Sequence, residues 1–124
     1  MKRILIVEDN EMNRDVLSRR LARQGFDVLV ASDGGGGLEV ARAERPDLIL
    51  LDLAMPDVDG WECARRLKGE ASTRSIPIIA LSAHAMLGDR QKALDAGCDE
   101  FDTKPIDFGA LLEKMDRLFH IRAA

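Results

Sequence analysis

The residues best suited to chemistry in this sequence are acidic, and they directly follow short apolar runs. Asp52 follows the run DLILL, and the pair Glu8 and Asp9 follows the run RILIV. Runs of this kind, rich in Val, Ile and Leu, predict buried strands. Because burying an unpaired carboxylate is costly, carboxylates in these positions call for a compensating group.

Two further polar residues occupy the same kind of position. Ser82 follows the apolar run IPIIAL, and Lys104 lies just past the weaker run CDEFD. The carboxyl ends of the strands of an open parallel sheet meet at one edge, where function gathers. We therefore expect three carboxylates, one hydroxyl and one ammonium group to lie together at that edge.

This predicted cluster carries more negative than positive charge. Crowded carboxylates repel one another, so the pKa of at least one should be raised unless a cation compensates. The ligands Glu8, Asp9 and Asp52 offer only oxygen atoms, which favours Mg²⁺, with Mn²⁺ as the alternative, over zinc. Asp52 can then act as the nucleophile that forms an aspartyl phosphate. Lys104 can pair with the added phosphoryl group, to which Ser82 can donate a hydrogen bond.

Each of these residues also has a structural interpretation. A strand-end aspartate such as Asp52 commonly forms a turn, and Glu8 and Asp9 favour the N-terminus of a following helix. Ser82 can cap the next helix, and Lys104 can be a surface charge. Their convergence on one edge of the sheet favours the chemical interpretation.

The elements that must position these residues alternate along the chain. Five apolar runs are separated by segments of helical periodicity, of which the first is carried by Met12, Val16, Leu17 and Leu21. This alternation predicts an α/β fold of the (βα)5 type, a doubly wound parallel sheet with helices on both faces. The length of 124 residues predicts one domain, residues 1–124, without an output domain.

The start of the second predicted helix is unusual, because Gly34 to Gly37 are all glycine. Glycine within a helix costs about 1 kcal/mol relative to alanine. We therefore expect the first turn of this helix to be frayed and to be the most mobile part of the domain. The alternative is that Gly34 and Gly35 form a loop and the helix starts later.

The composition argues against several classes of protein. A net charge of −4 gives no sign of direct nucleic-acid binding, and the arginines of the first helix, Arg14 among them, are interpreted as a solvated face. The N-terminus does not resemble a signal peptide, and no apolar run approaches the ~20 residues of a membrane span. We expect a cytoplasmic protein without membrane insertion. Cys63 and Cys98 fit no metal-ligand spacing, which argues against a disulfide framework or a zinc site.

The motifs, in their order and spacing, resemble the receiver domain of bacterial two-component response regulators over essentially the whole chain. They are ILIVEDN (4–10), DLILLDLAMPDVDG (47–60), IPIIALSA (76–83) and AGCDEFDTKPI (96–106). The later motifs are most similar to those of single-domain regulators of the DivK-like kind and of receivers in hybrid kinases. The resemblance implies the flavodoxin-like receiver fold, with five strands in the order 2-1-3-4-5.

The resemblance also implies a phosphoacceptor and its metal site. Asp52 matches the phosphoacceptor, which takes a phosphoryl group from a histidine on a partner. Glu8 and Asp9 match the acidic pair that holds Mg²⁺. The backbone carbonyl of Ala54 matches a further metal ligand, beside Asp52 itself.

Three more positions correspond to the catalytic and switch residues of such domains. Lys104 matches the phosphate-binding lysine, and its peptide bond to Pro105 is typically cis. Ser82 matches the switch hydroxyl. Phe101 takes the place of the switch aromatic and lacks a hydroxyl, so any switch there must act through burial. His84, two residues beyond Ser82, is a candidate modulator of hydrolysis or a plain loop residue.

We expect a stand-alone signalling switch rather than an enzyme with a separate substrate, one that catalyses its own phosphotransfer and autodephosphorylation. A histidine kinase or histidine phosphotransfer protein would dock near the first helix and the loop after the fifth strand. A downstream protein would bind the face formed by the fourth helix, fifth strand and fifth helix. Met86, Leu87 and Phe108 are candidate apolar contacts. The chain would be a monomer or a phosphorylation-dependent dimer.

Other interpretations stay open. The chain can be a receiver excised from a hybrid histidine kinase or a larger regulator. A phosphohydrolase of the haloacid dehalogenase type also uses a strand-end aspartate, but normally needs a second one where this chain has Ala54. A flavodoxin-like electron carrier needs a Ser/Thr-rich phosphate loop where this chain has Glu8-Asp9-Asn10.

Overall fold

Five strands and five helices alternate along the chain. The computed structural model describes residues 2–53, 60–82 and 88–123, with the backbone alone for 121–123. The strands are β1 (Arg3–Val7), β2 (Asp27–Ala31), β3 (Leu48–Asp52), β4 (Ile78–Ser82) and β5 (Glu100–Thr103). The helices are α1 (Glu11–Arg23), α2 (Gly34–Glu44), α3 (Gly60–Gly69), α4 (Asp89–Asp95) and α5 (Phe108–Ala123).

The strands form one parallel sheet in the order β2-β1-β3-β4-β5. Strands β3 and β4 are buried at every position, as expected for central strands covered on both faces. The predicted (βα)5 fold and its strand order are confirmed. In the part of the chain that the structure describes, no helix combines the length and apolar character needed to cross a membrane.

The sheet divides the core into two layers, and helices cover each layer. Leu5 and Val7 of β1 belong to the layer that includes the buried residues of α2 and α3. Their neighbours Ile4 and Ile6 belong to the layer with α1 and α5. This separation follows from the period of two along a strand, which sends successive side chains to opposite faces.

Strands β3 and β4 end one residue later than the apolar runs that predicted them. Asp52 pairs with Leu81, and Ser82 pairs with Thr103, so both polar residues continue the ladder of their strands. Asp52 is therefore the last residue of a buried strand rather than the first residue beyond it. This placement gives it the fixed backbone of the sheet.

Helix α1 buries only half of the residues that carry its apolar periodicity. Leu17 and Leu21 are buried, whereas Met12 is 74% exposed and Val16 is 52% exposed. Val16 and Leu17 are sequence neighbours and point about 100° apart around the helix, so Val16 cannot share the inward direction of Leu17. Met12 and Val16 thus form an apolar stripe on the flank of α1.

Helix α2 begins at Gly34, so the alternative that it starts after Gly35 is wrong. Asp33 caps the helix, since its Oδ1 accepts a hydrogen bond from the N–H of Gly36 at 2.7 Å. A Cβ atom at Gly37 would lie 2.9 Å from Cγ2 of Val7, so glycine there permits close approach of α2 to β1. The expected mobility of this turn stays a prediction.

Candidate functional site

Polar residues from four strands meet at the carboxyl edge of the sheet. Glu8 follows β1, Asp52 ends β3, Ser82 ends β4 and Lys104 follows β5. The N–H of Lys104 donates to the carbonyl oxygen of Ser82 at 2.8 Å, which fixes the two residues side by side. The sheet thus brings together residues that are up to 96 positions apart in the sequence.

Three carboxylates form the centre of the site. Glu8, Asp9 and Asp52 each present an oxygen atom, and these atoms lie within 4.8 Å of one another. Glu8 and Asp52 are each only 4% exposed, whereas Asp9 is exposed. The set fits Mg²⁺, because its donors are all hard oxygens and its exposed side leaves room for the waters that Mg²⁺ retains. The same donor set suits Mn²⁺.

Lys104 supplies a positive charge to this acidic cluster. Its Nζ donates a hydrogen bond to Oε1 of Glu8 at 2.5 Å and lies 3.4 Å from Oδ2 of Asp52. The lysine side chain is itself mostly buried, with 17% exposed. Lys104 contacts two of the three carboxylates, so these four side chains together keep a negative excess that a divalent cation can compensate.

Burial and crowding shift the pKa values of this cluster. Burial raises the pKa of Glu8, the hydrogen bond with Asp52 raises it further, and the contact with Lys104 only partly offsets these effects. Burial lowers the pKa of Lys104, but the hydrogen bond to Glu8 and the charge of Asp52 outweigh burial, so that the pKa is raised. The sequence predicted a raised pKa for at least one of these carboxylates, and the pKa of Glu8 is raised.

The first turn of α1 holds a residue, Arg14, for which the sequence predicted no contact with the site. Asn10 caps α1 by accepting the N–H of Asn13 on its side-chain oxygen at 2.9 Å. Arg14, four residues after this cap, is half-buried, and its Nη1 donates to the carbonyl oxygen of Glu8 at 2.9 Å. The interpretation of Arg14 as part of a solvated face is therefore wrong, because the start of the helix directs it back toward β1. The feature of the sequence that could have indicated this contact is the spacing of four residues between Asn10 and Arg14.

A groove of about 290 Å³ lies beside the acidic cluster, between α1 and the start of α5. The exposed stripe of Met12 and Val16 forms one wall, and Ile106 and Phe108 form the other, while Glu8 and Lys104 reach its end. The guanidinium of Arg20 lies 4.2 Å from the ring centroid of Phe108. An apolar groove therefore leads directly to the charged site.

The remaining predicted residues lie farther from the carboxylates or outside the described part of the chain. Phe101 in β5 is 7% exposed and packs in the core layer that includes α3. The Lys104–Pro105 peptide bond is cis, as the resemblance implied. The predicted Ala54 carbonyl ligand falls outside the described residues, as do His84, Met86 and Leu87.

Comparison with known proteins agrees with this geometry. Residues 4–116 match the response regulator receiver domain. The chain is 38% identical to the polar-differentiation response regulator DivK of Brucella anthropi over 112 residues, which cover 90% of this chain and 91% of that protein.

Solved structures show the same fold. The chemotaxis protein CheY4 of Vibrio cholerae superposes with a TM-score of 0.89 at 27% identity, covering 95% of this chain and 98% of that one. The receiver domain of the sensor histidine kinase PA1611 of Pseudomonas aeruginosa, solved with magnesium in its active-site cleft, has a TM-score of 0.87 at 35% identity, covering 94% and 96%. The chain belongs to the family of response regulator receiver domains.

Proposed function

We propose that Asp52 accepts a phosphoryl group from a phosphohistidine donor while Glu8, Asp9 and Asp52 hold Mg²⁺. The observation that supports this most directly is the cluster of three carboxylate oxygens within 4.8 Å, with Lys104 against two of the carboxylates. Receiver domains are phosphorylated by histidine kinases, and the related receiver of PA1611 carries magnesium in its cleft. The backbone carbonyl of Ala54 is the proposed further ligand.

The transfer uses residues already in place at the sheet edge. A carboxylate oxygen of Asp52 attacks phosphorus, the bond from phosphorus to the donor's imidazole nitrogen breaks, and that nitrogen takes a proton. Mg²⁺, when bound, neutralises charge on the phosphoryl oxygens. Lys104 moves from its carboxylate partners to the phosphoryl group, and the hydroxyl of Ser82 donates a hydrogen bond to it. Catalysis is positioning and charge neutralisation, and hydrolysis of the acyl phosphate reverses the signal.

The groove beside the cluster is the proposed docking site of the phosphodonor. Its exposed Met12 and Val16, together with Phe108, offer apolar contact area directly beside Glu8 and Lys104. A histidine kinase or histidine phosphotransfer protein seated there would present its phosphohistidine to Asp52. This placement agrees with the docking region expected from the sequence.

The face formed by α4, β5 and α5 is the proposed output surface. Glu100 of β5 lies 3.6 Å from Arg90 of α4 and 3.9 Å from Arg117 of α5, and Asp102 lies 3.2 Å from Lys114. These ion pairs connect the three elements, and Phe101 of β5 is buried in the core layer that includes α3. Phosphorylation of Asp52 at the end of β3 would shift the population of this surface through Ser82 of β4 and Phe101 of β5. A downstream protein, or a second copy of the chain, would bind the shifted form.

We further propose that the domain acts alone in the cytoplasm, as a single receiver without an output domain. Its match to DivK, of which it covers 91%, supports this proposal. The second candidate is a receiver of a hybrid kinase, which the likeness to the PA1611 receiver favours. The intact mass of the protein isolated from its native cells separates the two.

Intact-protein mass spectrometry tests the phosphoacceptor. The protein is incubated with acetyl phosphate and Mg²⁺, and we expect a mass increment of one phosphoryl group that is absent in EDTA and in Asp52→Asn. Asp15→Asn, which changes an exposed aspartate of α1, should keep the full increment. An increment that survives in Asp52→Asn would overturn the assignment.

A further inference from the structure

The exposed ligand of the acidic cluster depends on its main chain for its position. Asp9 is exposed, so packing does not fix its side chain as it fixes the buried Glu8 and Asp52. The peptide group before Asp9 is held by Arg14, whose Nη1 donates to the carbonyl oxygen of Glu8 at 2.9 Å. The peptide group after it is held by Oε2 of Glu8, which accepts the N–H of Asn10 at 3.3 Å.

These two contacts differ in their relation to the cluster. The carboxylate of Glu8 is a member of the cluster and also binds Lys104, so its oxygen atoms serve several partners. Arg14 instead binds a main-chain carbonyl that is not one of the three carboxylate ligands. Its hydrogen bond is also the shorter of the two, 2.9 Å against 3.3 Å. Arg14 therefore holds the turn at Asp9 without using a carboxylate oxygen of the cluster.

We propose that Arg14 is a positioning residue for the metal site, which orients Asp9 by fixing the Glu8 carbonyl. This inference rests on the proposed function, because it concerns the affinity of the same acidic cluster for Mg²⁺. Residues that orient metal ligands typically change affinity about 10- to 100-fold when removed. Asp9 is one of three carboxylates, so we expect an effect near the lower end of this range.

The sign of the effect separates positioning from simple electrostatics. Arg14 is positively charged and lies beside a site that binds a cation, so its charge alone weakens the binding of Mg²⁺. Removing only that charge would tighten binding. Removing an anchor of Asp9 would weaken it.

The experiment measures the Mg²⁺ dissociation constant by titration calorimetry for the wild type, Arg14→Met and Arg19→Met. Arg19 is an exposed arginine of the same helix and controls for the change in net charge. We expect binding about tenfold weaker in Arg14→Met and unchanged or slightly tighter in Arg19→Met. Unchanged or tighter binding in Arg14→Met, or equal weakening in both variants, overturns the proposal.

A second measurement needs no metal. In EDTA, we expect ¹⁵N relaxation to give lower backbone order parameters for Asp9 and Asn10 in Arg14→Met than in the wild type and Arg19→Met, with Val7 unchanged. Wild-type order at these two residues contradicts the positioning role. If the wild type itself does not bind Mg²⁺, the proposed metal site fails, while the order parameters still decide whether Arg14 holds the turn.

Discussion

The two edges of the sheet use the same kinds of residue in opposite ways. At the amino edge, carboxylates bind main-chain N–H groups and cations. Oδ2 of Asp99 accepts from Nζ of Lys68 at 2.9 Å and from the N–H of Ile78 at 2.8 Å. Oδ2 of Asp47 accepts from the N–H of Arg3 at 2.8 Å. The cations there pair with partly exposed carboxylates, Lys68 with Asp99 and Arg3 with Asp27 and Glu44, and the contacts join strands to loops and helices.

At the carboxyl edge the carboxylates instead converge on one another, and two of them are buried. Glu8, Asp9 and Asp52 converge with Lys104 as the cation that contacts two of them. Because burial raises the pKa of Glu8, the negative cluster is unfavourable without a further cation. The difference teaches that convergence of buried carboxylates, rather than an excess of acid over base, distinguishes a site that needs a ligand from contacts that close the fold.

The largest expected effect comes from removing the lysine at each edge. Lys104→Met leaves buried carboxylates uncompensated, so we expect the free energy of unfolding in EDTA to fall by about 3 kcal/mol. Saturating Mg²⁺ should restore much of this loss, since it supplies positive charge to the same carboxylates. Urea denaturation with and without Mg²⁺ measures both quantities.

Lys68→Met is the matched variant at the amino edge. Lys68 also donates to the carbonyl oxygens of Ile76 and Arg74, so this variant should be destabilised as well. Mg²⁺ should raise the stability of Lys68→Met only by the increment found for the wild type. A larger recovery in Lys68→Met than in Lys104→Met would remove the distinction between the edges.

Much of this contrast could be predicted from the sequence, because strand ends can be read from apolar runs. The positions of Asp52, Ser82 and Lys104 after such runs placed them on one edge, and parallel strands bring those ends together. The amino edge was not predicted. Lys68 and Asp99 are 31 residues apart and follow no motif, so their pairing depends on how α3 packs against the sheet.

Prediction of the helices from the sequence was limited in a similar way. Apolar periodicity in α1 identified a helix but did not tell which of two stripes faces the sheet, and Met12 and Val16 proved to be exposed. The glycine run was interpreted through its helix propensity, whereas the close approach of Gly37 to Val7 is a tertiary contact. Local patterns therefore predict well which helices and strands form. They predict less well which face of each element is buried.

The second prediction concerns ligand-linked stability. Mg²⁺ at 100 times its dissociation constant should stabilise the wild type by about 2.7 kcal/mol. In Glu8→Gln this increment should shrink, because a charged ligand is lost. In EDTA, however, Glu8→Gln should be more stable than the wild type, since burial and Asp52 disfavour the ionised Glu8. Differential scanning calorimetry measures the stability in EDTA and the increment with Mg²⁺. If Glu8→Gln is less stable than the wild type in EDTA, the cluster is a structural ion pair.

The third prediction is smaller and concerns the amino edge. Asp99→Ala removes the acceptor of the Ile78 N–H and a partner of Lys68, so the free energy of unfolding should fall by about 1–2 kcal/mol. The Mg²⁺ increment should be unchanged. Asp116→Ala, an exposed position on α5, should leave the urea midpoint near that of the wild type. If the two variants behave alike, Asp99 has no structural role beyond that of a surface charge.

The smallest expected effect is at Cys98, which lies next to Asp99 and is 4% exposed. Burial and the charge of Asp99 raise its pKa to about 12, well above the value of a free thiol. Native protein binds the thiol proton more tightly than unfolded protein, so this group lowers stability only as the pH rises above about 9.

Iodoacetamide should therefore alkylate Cys98 slowly in the native protein at pH 8 and readily in urea, as followed by peptide mass spectrometry. Asp99→Asn should raise the native rate only slightly, because burial is the larger cause of the shift. Rapid native alkylation in both proteins would mean that the amino edge opens to solvent. The contacts of Lys68 and Asp99 would then not close the amino edge, and the contrast with the carboxyl edge would rest on the convergence of the carboxylates alone.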